Sequence, residues 1–172
     1  MAFLAHLPDH TEVWTADPAT GRARSLSSAP VMATAGTSSN NQGHGPSHML
    51  QWTPEGTLLT LLVPSNRGPE PTASRIPEGP LTRHTRAQPV GNPTYRFLLR
   101  DQHDEDLFEY HTTSQLAELA PGQRPVLLGE PKMYESISLS ADGQYVMAVH
   151  MERPFSFLTS YRGFPRKTEV LD

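Results

Sequence analysis

The stretch Gln51-Trp52-Thr53-Pro54-Glu55-Gly56 decides the fold, because a second stretch, Ser138-Leu139-Ser140-Ala141-Asp142-Gly143, repeats its plan. Each ends in an acidic residue followed by glycine, and each runs directly into an apolar segment, residues 57–63 and 144–151. An acidic residue before glycine is typical of a tight turn, since glycine adopts positive φ without steric cost. This unit of strand, turn and longer strand predicts the start of a β-propeller blade, and a four-strand blade takes about 40–50 residues.

The composition narrows the class of protein. The chain has 172 residues, enough for one ordinary domain, and its 12 glycines and 17 prolines disfavour long helices. The net charge of −4 is carried by interspersed residues, so no basic tract predicts binding to nucleic acid or to an anionic membrane. No apolar run approaches the roughly 20 residues of a membrane span, and residues 1–7 do not resemble a signal peptide. Cysteine is absent, so disulfides and thiolate metal sites are not expected. The chain is expected to be soluble, and its compartment stays unknown.

Hydrophobic periodicity predicts mostly strands. The run 58–63 (LLTLLV) is typical of a strand buried on both faces, whereas residues 64–93 contain seven prolines and predict an extended or disordered insertion. Residues 95–102 predict a short helix, which residues 104–107 either continue or follow with a turn, and the alternation in 107–113 predicts a strand. Further strands are expected at 3–6, 12–16, 22–26, 114–119, 125–128, 144–151, 155–161 and 167–171. Residues 1–172 are therefore expected to be all-β, a partial β-propeller of about two to three four-stranded antiparallel blades with a Pro-rich insertion and one short helix.

Several segments, taken in order, resemble the N-terminal propeller of the prolyl oligopeptidase family of serine peptidases, and its glutamyl-endopeptidase-like branch in particular. They are 63–69 (VPSNRGP), 94–99 (TYRFLL), 103–105 (HDE), 107–110 (LFEY), 113–116 (TSQL), 153–158 (RPFSFL) and 161–165 (YRGFP). The resemblance implies a seven-bladed propeller that caps an α/β-hydrolase domain and admits short peptides to it. It also implies that the catalytic serine, aspartate and histidine belong to the hydrolase domain, which follows the propeller and is absent from residues 1–172. The expected role is then a non-catalytic gate for peptide substrates, with the hydrolase domain as partner and with no cofactor.

Three residues of the C-terminal segment are candidates for binding substrate: Arg153, Tyr161 and Arg162. Arginine binds carboxylates through two parallel hydrogen bonds, so an arginine here is suited to selecting peptides with acidic side chains. The alternative is a structural ion pair within the blade.

Other polar groups are not predicted to carry chemistry. The segment 45–48 (GPSH) lacks the second glycine of a nucleophile elbow, and a proline interrupts it, so no catalytic residue is expected. His44 and His48 have helical spacing, but Gly45 and Pro46 between them disfavour a helix and hence a metal site. The acidic run 103–106 (HDED) is expected to be a solvated turn or a helix end, with Asp101 and Asp104 as caps. Trp14 and Trp52 are expected to pack within blades.

A second hypothesis is a stand-alone interaction module, which would use blade edges or the Pro-rich segment to bind a partner. The segment offers one PxxP motif, from Pro77 to Pro80. Two or three blades leave strand edges open, because only a closed ring protects them. The isolated chain is therefore expected to self-associate or to be partly unfolded.

Overall fold

The computed structural model describes residues 1–33, 50–73 and 98–172, and strands dominate this part of the chain. It contains one α-helix, α1 (Gln102–Thr112), and one 3₁₀ turn at Tyr161–Gly163. The strands are β1 (Ala2–His6), β2 (Thr11–Ala16), β3 (Ala23–Ser27), β4 (Gln51–Trp52), β5 (Leu58–Leu62), β6 (Gln115–Leu119), β7 (Val126–Leu127), β8 (Met133–Leu139), β9 (Val146–Met151) and β10 (Arg166–Leu171). No helix in the described ranges has the length and apolar character that a membrane crossing requires.

The strands form three antiparallel sheets that follow one another along the chain. The first sheet has the order β1-β2-β3, the second β4-β5-β6-β7 and the third β8-β9-β10. Each is a meander, in which strands adjacent in sequence are also adjacent in space. The long connection from β5 to β6 carries the Pro-rich insertion and α1. The mostly-β expectation is confirmed, although only the second sheet has four strands in the described residues.

The second sheet lies between the other two, and β5 explains why. All five residues of β5 are buried, as the apolar run predicted. Successive side chains of a strand point to opposite faces. Leu58 accordingly joins a cluster with Val13 of the first sheet, whereas Leu59 joins a cluster with Ile137 of the third. One strand therefore supplies the apolar core of two interfaces between sheets.

The two repeated turns bring the second and third sheets together. The Gln51 side chain donates from Nε2 to the Ile137 carbonyl oxygen at 2.6 Å and accepts the Leu139 N–H at 2.7 Å. Its amide thus occupies the free edge of β8 in the manner of a neighbouring strand. A Cβ atom on Gly143, where φ is +75°, would lie 2.5 Å from Cδ of Pro54, so the two turns touch.

Helix α1 packs against the third sheet and begins at a capped residue. Asp101 has extended backbone, and its Oδ1 accepts the Asp104 N–H at 2.9 Å, which confirms the expected cap. Phe108 meets Phe155 and Phe164 edge-on, at ring-centre distances of 5.2 and 5.4 Å. Phe155 and Phe164 form the third apolar cluster with Met133 and Met151, and Phe108 packs against it.

Three expectations about local structure were wrong. Residues 107–112 belong to α1 rather than to a strand, because the helix that Asp101 starts continues to Thr112. Residues 98–101, the described part of the predicted helix before α1, are not helical, and of the predicted range only Gln102 belongs to α1. Residues 155–161 form no strand, because Phe155 turns back onto Phe164 and α1.

Other expectations fall outside the described residues. These are the segment 45–48, the histidines His44 and His48, the PxxP motif and most of the Pro-rich insertion. The described part of that insertion, residues 64–73, contains no strand.

Candidate functional site

The three predicted substrate-binding residues lie in the connection from β9 to β10, here called the 152–165 loop. Arg153 lies at its start, whereas Tyr161 and Arg162 belong to the 3₁₀ turn near its end. The structure therefore places them on one segment, at the end of the third sheet that α1 covers.

Arg153 is bound to α1 through three carboxylates. Its Nε donates to Glu109 at 2.7 Å, Nη1 to Glu105 at 2.7 Å and Nη2 to Asp106 at 2.8 Å. The Glu105 side chain is only 10% exposed, whereas the Arg153 side chain is 36% exposed. Each nitrogen of the guanidinium thus already donates to a carboxylate. The three carboxylates outnumber the single positive charge of Arg153, which disfavours the approach of a further carboxylate.

Arg166 fixes the turn that carries Tyr161 and Arg162. Its Nη1 donates to the carbonyl oxygens of Arg162 and Phe164 at 2.8 and 2.9 Å. Its guanidinium also binds the Glu135 carboxylate on β8 through Nε and Nη2. The backbone of the turn is therefore anchored to the third sheet, and the side chains of Tyr161 and Arg162 are exposed.

The side chains of this turn combine an aromatic ring with a cation. Tyr161 is 39% exposed, and Leu158 earlier in the loop is 70% exposed. Arg162 is exposed as well. A guanidinium beside exposed apolar surface is chemically suited to holding an acidic side chain together with its aliphatic stem.

A further group on α1 was missed by sequence reasoning. The Arg67 guanidinium lies 3.5 Å from the centre of the Tyr110 ring, and its Nη2 lies 3.2 Å from His111 Nδ1. The Tyr110 hydroxyl donates to the Gly68 carbonyl oxygen at 3.3 Å. These contacts attach the segment after β5 to α1, and they join residues too distant in sequence for any local pattern to reveal.

The acidic run in the first turns of α1 is engaged internally. Asp104 accepts hydrogen bonds from Nε and Nη2 of Arg100 at 2.8 and 3.0 Å, and this arginine holds the pKa of Asp104 below its usual value. No group of three or more His, Asp or Glu residues in the described part of the chain is arranged to hold a metal ion.

The tryptophans differ in their surroundings. Trp14 is partly buried, and its Nε1 donates to Glu12 at 3.0 Å. Trp52 is 46% exposed, so it does not pack in a blade core as expected. It lines an open groove of about 470 Å³ between β4 and the end of β8, with Pro54 and Leu139 among its neighbours.

Comparison with known proteins adds two relatives. The chain is 34% identical over 160 residues, 92% of its length, to a protein of Arabidopsis thaliana named probable glutamyl endopeptidase, chloroplastic. It is 31% identical over 159 residues to a protein of the same name from Oryza sativa subsp. japonica. The chain spans 16% of the length of each relative, so it is homologous to a part of them. No family model and no solved structure matches this chain.

Proposed function

We propose that residues 1–172 form part of the β-propeller of a serine peptidase of the prolyl oligopeptidase family, in its glutamyl-endopeptidase-like branch. In this proposal the segment is non-catalytic and controls the access of peptides to an α/β-hydrolase domain of the same protein. The observation that carries the proposal is the similarity along 92% of the chain to two proteins named glutamyl endopeptidase.

The packing of the sheets supports the propeller part of the proposal. Propeller blades are small antiparallel sheets that follow one another in sequence and pack face to face around an axis. The first, second and third sheets follow this order, and the middle one is covered on both faces. The outer face of the third sheet still exposes Met147 and Val170, 47% and 63% respectively, and these two residues are cross-strand neighbours. A further sheet packed on that face would bury them.

The 152–165 loop is the proposed point of contact with peptides. Tyr161 and Arg162 present an aromatic ring and a cation at the surface, which suits a peptide that carries glutamate. Arg153 also stays a prediction from the sequence, although the three carboxylates around it disfavour the binding of a further carboxylate.

The test starts from the native protein. An antibody raised against this segment would be used to isolate the endogenous polypeptide, which is then treated with a fluorophosphonate probe for reactive serines. We expect a labelled polypeptide longer than 172 residues that cleaves glutamate-containing peptides. A native polypeptide of only these 172 residues, without serine reactivity, would contradict the proposal and favour the interaction module.

A further inference from the structure

We propose that Arg153 is a positioning residue, which joins α1 to the 152–165 loop and thereby holds Tyr161 and Arg162 in place without binding substrate itself. The consequence of this positioning role for peptide selection rests on the proposed function above. The structural part of the proposal, that Arg153 joins α1 to the 152–165 loop, does not depend on that function, because it concerns only contacts within this chain.

The first step is the fit between Arg153 and α1. Glu105 and Glu109 are four residues apart, so they lie on one face of the helix, and Asp106 lies beside them. Together they give the guanidinium one acceptor for each nitrogen. Because the Glu105 carboxylate is 10% exposed, loss of Arg153 leaves a largely buried charge without its cation, which is strongly unfavourable.

The second step is the aromatic cluster that follows Arg153 along the loop. Phe155 and Phe164 stack with a ring-centre distance of 4.9 Å, and both meet Phe108 of α1 edge-on. Phe155 and Phe164 flank the segment that holds Tyr161 and Arg162. The loop is therefore closed at its base by a contact with the same helix that Arg153 binds.

The third step compares the two arginines that anchor the loop. Arg166 binds Glu135, which belongs to the third sheet, as Arg166 itself does. Arg153 binds a helix that the chain inserts between two strands of the second sheet. Arg153 therefore couples the loop to a neighbouring sheet, whereas Arg166 holds the loop to its own sheet.

The structural part is tested by hydrogen exchange on the full 172-residue chain. Arg153→Gln should speed amide exchange in α1 and in the 152–165 loop by roughly tenfold or more, as expected for loss of charge-assisted hydrogen bonds. Exchange in β5 should stay unchanged. The matched control is Arg100→Gln, which removes an arginine–aspartate pair from the same helix end but leaves the loop contact intact. Unchanged protection of α1 and the loop in Arg153→Gln, or an equal loss in all three sheets, would overturn the proposal.

The functional part is tested in the longer native enzyme with two peptides that differ only in glutamate or glutamine at one position. Arg153→Gln should lower kcat/KM for both peptides, and more for the glutamate peptide, mainly through KM, because it disorders Tyr161 and Arg162 together. Arg162→Gln should lower it for the glutamate peptide alone. In the Arg162→Gln background, Arg153→Gln should lower kcat/KM for both peptides by the same factor. A further loss confined to the glutamate peptide in that background would mean direct contact and would refute the positioning role. If the enzyme cleaves neither peptide before mutation, the proposed function fails, while the exchange result still decides the structural part.

Discussion

Gly143 carries two separate constraints, and a second glycine of the chain allows them to be measured apart. Gly56 and Gly143 both have positive φ, +82° and +75°, but only Gly143 has Pro54 where a Cβ atom would be placed. Gly56→Ala should therefore cost about 1–2 kcal/mol for left-handed backbone alone. Gly143→Ala should cost about 1–3 kcal/mol more, the usual range for overpacking, as measured by urea unfolding. Adding Pro54→Ala to the Gly143→Ala variant should recover the additional loss of unfolding free energy. An equal loss of unfolding free energy in Gly56→Ala and Gly143→Ala would contradict the contact between the turns.

The same two glycines show which features of single residues can be predicted from the sequence and which cannot. The acidic residue before each glycine was enough to predict both turns, because turn chemistry is local. Their contact, and the hydrogen bonds from Gln51 to β8, depend on how two sheets pack. No local pattern carries that information, and for the same reason the partners of Arg153 and Arg67 were not predicted.

At the scale of elements, α1 is where local pattern and structure disagree. Phe108, Tyr110 and Thr112 alternate with polar residues, which indicated a strand. The cap at Asp101 and the contact of Phe108 with the third apolar cluster favour a helix instead, so tertiary packing overrode the alternation. For β5, by contrast, the sequence was sufficient, because a strand buried on both faces carries apolar residues on both, as its four leucines do.

The start of β2 carries a pH-sensitive network that yields a prediction for this element. His10 contacts Glu12 at 3.0 Å and Asp9 at 2.8 Å, and these carboxylates raise the pKa of His10 above 6.5. A group with a raised folded-state pKa stabilises the fold fully below its unfolded value, and this contribution is lost as the pH rises through the folded value. Thermal unfolding should therefore show a lower Tm at about pH 8 than at about pH 6.

The matched control for this network is another histidine of the first sheet. His6 lies in β1 and contacts Thr11 rather than a carboxylate, at 2.9 Å. His10→Gln should reduce the loss of Tm between the two pH values, whereas His6→Gln should leave it unchanged. A pH dependence that persists in full in His10→Gln would show that the network does not contribute.

At the scale of the whole molecule, the succession of small antiparallel sheets was predictable, whereas the exposed apolar face of the third sheet was not. Sequence reasoning attributed self-association to open strand edges. The structure adds a second reason to expect self-association, because Met147 and Val170 are 47% and 63% exposed in the third sheet. Met147 and Val170 lie side by side on the face turned away from the second sheet. Association through that face and association through the strand edges would respond differently to substitutions.

Charges placed on the face or on an edge distinguish the two causes. The variant Met147→Lys with Val170→Lys should weaken self-association of the 172-residue chain roughly tenfold or more, because it removes apolar contact area from the face. The control variant is Val126→Lys with Leu127→Lys, which puts the same charge on β7, the edge strand of the second sheet. Its two residues are 54% and 57% exposed. Sedimentation velocity over a range of concentrations measures both variants. If the β7 variant alone becomes monomeric, edge pairing drives association, and the outer face of the third sheet is not an interaction surface.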